Sequence, residues 1–215
     1  IQNDELKTGL FRVVETNGVI KNLKIYGTIT GADNVGGIAG ELYGKIIGCE
    51  NHAVVTGNTK VGGMFGHGSG ESGAGTAVDC INYGEVHGYA QVGGIGGYTW
   101  AAITNCTNAG LVEGVNTTGG IVGLVEAATV SGCKNNGTVG ATSWNIGGIA
   151  GRSASKVTDC VNNGSVYTTS DAVGGISGTA QAAVTNCTNA GSVQGNNNVG
   201  GIAGVTSAKG VVSGC

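Results

Sequence analysis

The sequence predicts an all-β protein, a parallel β-helix of about eight coils, each of ~27 residues with about three short strands. Three observations predict it. Seven cysteines, Cys49, Cys80, Cys106, Cys133, Cys160, Cys187 and Cys215, follow one another at steps of 31, 26, 27, 27, 27 and 28 residues. A glycine pair precedes each, from Gly36-Gly37 and Gly62-Gly63 to Gly200-Gly201. The 215 residues include 45 glycines and no proline, which suits uninterrupted ladders whose interior N–H groups must all donate. A period in this range marks stacked structural repeats.

Residues 1–17 read as a lead-in or cap, and 18–215 as a single solenoid that stops in mid-coil, as an excised piece of a longer chain would. The first repeat is atypical. Ile20 to Ile29 aligns with Val157 to Val166, and Leu23 then takes the cysteine slot while Ile25 takes an asparagine slot. Residues 1–60 also hold 12 of the 23 charged side chains, as expected near a solenoid end.

The regular repeats carry five apolar columns. One precedes the glycine pair (Val35, Val61, Val92, Ile146) and one follows it (Ile38, Met64, Ile95, Ile121). The third lies three residues before cysteine (Ile46, Ile103, Val130), the cysteines are the fourth, and the fifth lies six residues beyond (Val55, Val86, Val112). Short β-branched segments between glycine and asparagine are strand-like, without helical spacing. Glycine is expected to serve tight corners with positive φ. Successive coils about 4.8 Å apart make a rod on the order of 40 Å long.

Asparagine stands two residues after cysteine at Asn51, Asn82, Asn108, Asn135, Asn162 and Asn189, a pattern expected to stack as an inward ladder. Ile25 in the same slot argues for structure over ligand binding. Parallel Cβ vectors disfavour bridges between stacked cysteines, and no C-x2-C spacing points to a metal. A column of buried free thiols is the main expectation, with some disulfides as the alternative. Asp79 and Asp159, in a slot otherwise held by glycine or asparagine, read as corner residues and not as catalytic carboxylates.

One repeat is longer, with 18 residues from its first glycine to its cysteine where 13 is typical. The extra residues, His67 to Thr76, are expected to bulge as a loop in which His67 and Glu71 form a candidate acid–base or cation pair. Gly68 to Gly73 satisfies G-x-G-x-x-G but lacks the βαβ context that gives the motif meaning. Tyr43 and Trp100 each lie seven residues after the first glycine of their pair, and Tyr98 shares the strand region of Trp100. These aromatics are the candidate ligand-binding surface, able to stack on a glycan or anchor a protein.

Net charge is −3 and charged residues are 11% of the chain, so no nucleic-acid footprint is present. No apolar run is long enough for a membrane-spanning helix. Neither a cofactor nor a metal is expected, and no catalytic constellation stands out. Exposed coil edges allow end-to-end self-association.

The recurring V-G-G-I-A-G (Val35 to Gly40, Val199 to Gly204) with C-x-N-x-G (Cys160 to Gly164, Cys187 to Gly191) resembles the GLUG-motif repeat family over nearly the whole chain from Gly18. The resemblance implies a bacterial secreted or cell-surface protein. Such repeats occur in adhesin-like proteins and in non-catalytic parts of IgA-specific metallopeptidases. The chain lacks H-E-x-x-H, so no peptidase centre carries over. The expected function is a non-enzymatic adhesin stalk or binding module; the alternative is an accessory, substrate-recognition segment of a larger secreted hydrolase.

Overall fold

A computed structural model describes residues 1–2, 6–69 and 75–215. Glu71, part of the candidate loop, lies outside the described residues. Among those described, every element is a short strand, and every pairing is parallel with the equivalent strand of the next coil.

Each full coil visits five sheets in turn, not the three strands expected. Sheet I holds seven strands, beginning with Asp33–Gly36 and Thr59–Gly62, and sheet II holds eight, among them Phe11–Val14, Ala39–Leu42, Phe65–Gly68 and Gly96–Thr99. Sheet III (eight) includes Val19–Lys21 and Lys45–Ile47; sheet IV (seven) includes Lys24–Ile25 and Glu50–Asn51. Sheet V (seven) includes Val54–Thr56, Val86–His87, Val112–Gly114, Val139–Ala141 and Val166–Thr168. The difference arises because strands of two to four residues, joined mostly by two-residue links, are too short to register as separate runs in the sequence. Pairing begins ahead of Gly18: Phe11–Val14 already pairs with Ala39–Leu42.

The apolar columns line the interior as a main core cluster and a smaller one of Val139, Ala141, Ile146, Val166 and Val173, and Val35, Ile38, Ile46 and Val55 and most of their equivalents are fully buried. A sixth inward column, unmarked by any sequence pattern, runs through Leu42, Gly68, Thr99, Val125 and Ser153 of sheet II. Its polar members find local partners: the Thr99 hydroxyl donates to Ala101 O at 2.9 Å and accepts from Ala101 N–H at 2.8 Å, and Ser153 Oγ lies 3.0 Å from Ser177 Oγ of the following coil.

The glycine pairs do not make the corners. Two other columns take left-handed φ. One precedes sheet I's apolar residue (Lys7, Asn34, Lys60, Gln91, Thr117, Asn145, with φ from 50° to 68°), and one precedes the cysteines (Asn22, Asp79, Asn105, Asp159, Asn186, with φ from 53° to 56°, and Gly48 and Gly132). Asparagine and aspartate tolerate this region best, which accounts for Asp79 and Asp159. The paired glycines are needed for close approach instead. A Cβ on Gly63 would collide with the Gly94 carbonyl and the Asn82 carboxamide of the next coil. The third glycine of V-G-G-I-A-G is required by the left-handed corner: a Cβ on Gly97 would strike the backbone of Lys60.

The asparagine ladder is present and continuous. Nδ2 of each residue donates to Oδ1 of the next at 2.7–2.8 Å, from Asn51 through Asn82, Asn108, Asn135 and Asn162 to Asn189. Each Nδ2 also donates to the carbonyl two residues on, as Asn108 does to Gly110 O at 2.9 Å. All seven cysteines are free thiols, six buried and Cys215 exposed. Cys106 donates to Thr104 O at 3.4 Å and Ala77 O at 3.5 Å, and the other thiols repeat this pattern. Hydrogen bonds between stacked thiols, followed by burial, raise Cys49, Cys106, Cys160 and Cys187, while the same thiol–thiol bonds lower the intervening Cys80 and Cys133. A thiolate at any of these levels would lie in an apolar column against its neighbours.

Candidate ligand-binding face

Outward-facing residues of sheet II stack as directly as inward ones. Glu41, His67 and Tyr98 occupy consecutive coils in one column, and Leu124 and Arg152 continue it. His67 is thus a strand residue whose position is set by pairing with the coils on either side. It does not belong to the loop expected from the sequence.

Glu41 is the hub. Its side chain is nearly buried, and it meets Lys7 Nζ at 3.0 Å and His67 Nδ1 at 3.7 Å. Asn34 Nδ2 donates to Oε1 at 3.1 Å and the Tyr43 hydroxyl to Oε2 at 3.2 Å. Burial raises the carboxyl pKa, but the Lys7 bond and charge, with Tyr43 and His67, outweigh it and hold Glu41 below the ordinary range. His67 is lowered, first by burial and then by the Lys60 charge. The carboxylate that meets His67 is therefore Glu41 of the preceding coil.

The left-handed corner explains how these groups converge. Lys7, Asn34 and Lys60 all stand in that column, and their side chains turn onto sheet II. Lys60 places its ammonium 5.2 Å from the Tyr98 ring centroid. His67 covers the same ring at 5.2 Å with a 38° tilt. The Tyr98 hydroxyl accepts Trp100 Nε1–H at 2.6 Å. Trp100 is 39% exposed, so its indole is fixed by a rigid neighbour while remaining presented to solvent.

Of the sequence candidates, the structure brings Tyr98, Trp100 and His67 together. Tyr43 occupies the column of Trp100, since Ser69 bonds back to Leu42 and Trp100 to Gly68, but it is half-buried and committed to Glu41. It supports the hub and does not form a twin platform with Trp100.

A second aromatic cluster was missed. Tyr26, His52 and Tyr83 stack on sheet IV's outer side with centroids 4.7 and 4.8 Å apart and planes within 17°. Glu50 links His52 at 3.0 Å to Lys24 at 2.9 Å. Its signal was present: all three rings stand one residue after the asparagine slot. Cys49 points inward and His52 outward, which separates the one Cys–His pair near enough in sequence to suggest a metal. Among the described residues no three His, Cys, Asp or Glu side chains converge as metal ligands.

No family model and no curated protein matches the chain. Its fold is similar to the crystal structure of a candidate immunoglobulin A1 protease from Bacteroides ovatus, with 21% identity and a TM-score of 0.57. The likeness covers 93% of this chain and 57% of that one, so the chain spans little more than half its structural neighbour's length.

Proposed function

We propose that this chain is a non-enzymatic repeat segment of a larger bacterial secreted or cell-surface protein, serving as an adhesin stalk or binding module. The observation that carries the reading is the sheet II face, where Tyr98 pins the exposed Trp100 and Lys60 and His67 brace Tyr98. Such an aromatic loses little conformational freedom on binding a glycan or a protein. The Glu41 carboxylate, engaged by Lys7, Asn34 and Tyr43, is suited to organising this face and not to proton transfer. The GLUG-like motifs support the extracellular placement.

A second reading makes the segment a substrate-recognition accessory of a secreted hydrolase. The likeness to the candidate immunoglobulin A1 protease favours it. Both readings are tested by applying the folded segment and its Trp100→Ala variant to a glycan array and to immobilised immunoglobulin A1. Glycan binding lost in the variant supports the adhesin module; immunoglobulin binding lost in the variant supports the accessory segment. Silence on both surfaces removes this face as a binding site and leaves a stalk.

A further inference from the structure

The outer side of sheet V carries a feature independent of the Trp100 face. Its outward column runs in register through Thr56, His87, Glu113, Gly140 and Tyr167. Gly140 is a gap in that column. A Cβ there would collide with the tip of the Tyr167 ring, so the ring lies along the rod over the glycine backbone. Its hydroxyl reaches two coils back and donates to Glu113 Oε1 at 3.1 Å. Burial, then this bond, raises the phenol pKa.

Glu113 is held from its other side as well. His87 Nδ1 lies 3.3 Å from Glu113 Oε2, and His87 Nε2 lies 3.1 Å from Glu85. Beside the ring is an open cleft of about 230 Å³ bounded by Glu113, Ala141, Thr142 and Tyr167. Tyr167 is 41% exposed, so the ring covers the glycine backbone and still presents surface to solvent. The strands of sheet V carry no lysine or arginine.

We propose that this cleft binds the pyranose ring of a neutral carbohydrate. A flat aromatic accepts the apolar C–H face of a sugar, and its carboxylate neighbour accepts hydroxyl hydrogens from the sugar's edge. Glu113 keeps lone pairs beyond those used by Tyr167 and His87, and the Thr142 hydroxyl completes the polar rim. The ring is oriented before any ligand arrives, which limits the ordering cost of binding. The cleft's size and mixed polar and aromatic walls fit one sugar ring better than an extended peptide or a purely apolar ligand.

The test follows the tyrosine ring resonances of the 215-residue chain by NMR during separate titrations with galactose, mannose and N-acetylglucosamine. We expect saturable shifts at Tyr167 with at least one sugar and none at Tyr26 or Tyr83. Tyr167→Ala should abolish binding. Gly140→Ala removes no contact group, and the three atoms nearest its methyl all belong to the tip of the exposed Tyr167 ring, so the fold should persist, as unchanged melting would verify. By lifting the ring it should weaken binding about tenfold. No saturable shift with any of the three sugars, shifts spread equally over all tyrosines, or full affinity in either variant would overturn the proposal. Trp100→Ala should leave this site untouched, which separates it from the sheet II face.

Discussion

Asn51 and His52 are neighbours in the chain, yet they stand in columns of opposite character. The inward column holds asparagine at six successive levels, each bonded to the next. The outward column holds Tyr26, His52 and Tyr83, then Ala109, Asn136, Asn163 and Ala190. Inside, a side chain must satisfy the level above and the level below, and only a self-complementary residue does this indefinitely. Outside, water satisfies whatever the neighbours do not, and each level is free to differ. Repetition therefore marks the scaffold, and departures from repetition mark surfaces available for binding.

The sharpest break of this contrast is a pair of identical substitutions. Gly94→Ala would drive a methyl into the Gly120 carbonyl and the Asn108 carboxamide, whereas a Cβ at Gly201 meets nothing within 4 Å. We expect Gly94→Ala to cost about 3 kcal/mol or more and Gly201→Ala less than about 0.5 kcal/mol, read by chemical denaturation. Equal costs would mean that close coil approach is not what glycine serves.

Next comes Asn108→Ala against Tyr83→Ala. The first strands the Asn82 donor, the Asn135 acceptor and the Gly110 carbonyl in the core. A loss of about 3 kcal/mol follows from such unsatisfied buried groups, against about 1 kcal/mol for the exposed ring. A ladder variant that melts like the ring variant would show the ladder to be ornamental.

A smaller effect concerns pH. His67 has a lowered folded pKa, so its neutral form is favoured, and stability falls as pH drops below its unfolded value of about 6.5. Glu41 is also lowered; its contribution is present above the unfolded value of about 4.3 and is lost as pH falls through the folded one. Melting temperatures should decline in two stages between pH 7 and pH 3. His67→Gln should flatten the first stage and Glu41→Gln the second; two unchanged profiles would remove both groups as its cause. Least energetic is thiol labelling: Cys215 should react at once in the native 215-residue chain, and the other six only on unfolding. Rapid reaction of a second thiol would contradict a sealed cysteine column.

The same contrast explains what is legible in the sequence alone. Columns such as Val35–Val61–Val92 and the asparagines were visible because parallel stacking in register places like beside like. The strand count was not, since segments like Glu50–Asn51 are shorter than any usable pattern. Positive φ does place glycine at Gly48 and Gly132, but the glycine pairs serve close approach, and the two demands leave the same residue in a sequence. The sheet II hub was half legible. Glu41, His67 and Tyr98 each stand five residues after the first glycine of their pair, but the carboxylate nearer to His67 in sequence is Glu71, which obscures its column partner. Lys60 and Tyr98, 38 residues apart, meet through a left-handed lysine that no propensity rule anticipates. The cleft beside Tyr167 depends on a missing side chain at Gly140, a signal that exists only once the columns are aligned.

The asparagine ladder has a direction. Every Nδ2 points toward the later coil, while the first rung's Oδ1 is occupied by the backbone N–H of Ala53. An interior level thus offers the next one an interface nearly identical to the interface it received, so a copied coil can be spliced between two others without redesigning either. Ile25 breaks that equivalence at the start. Evolution or an engineer can therefore treat reach as a dial, adding about 4.8 Å for each repeat inserted after Asn51. The sugar and aromatic sites would then ride at chosen heights on a ruler graduated in coils.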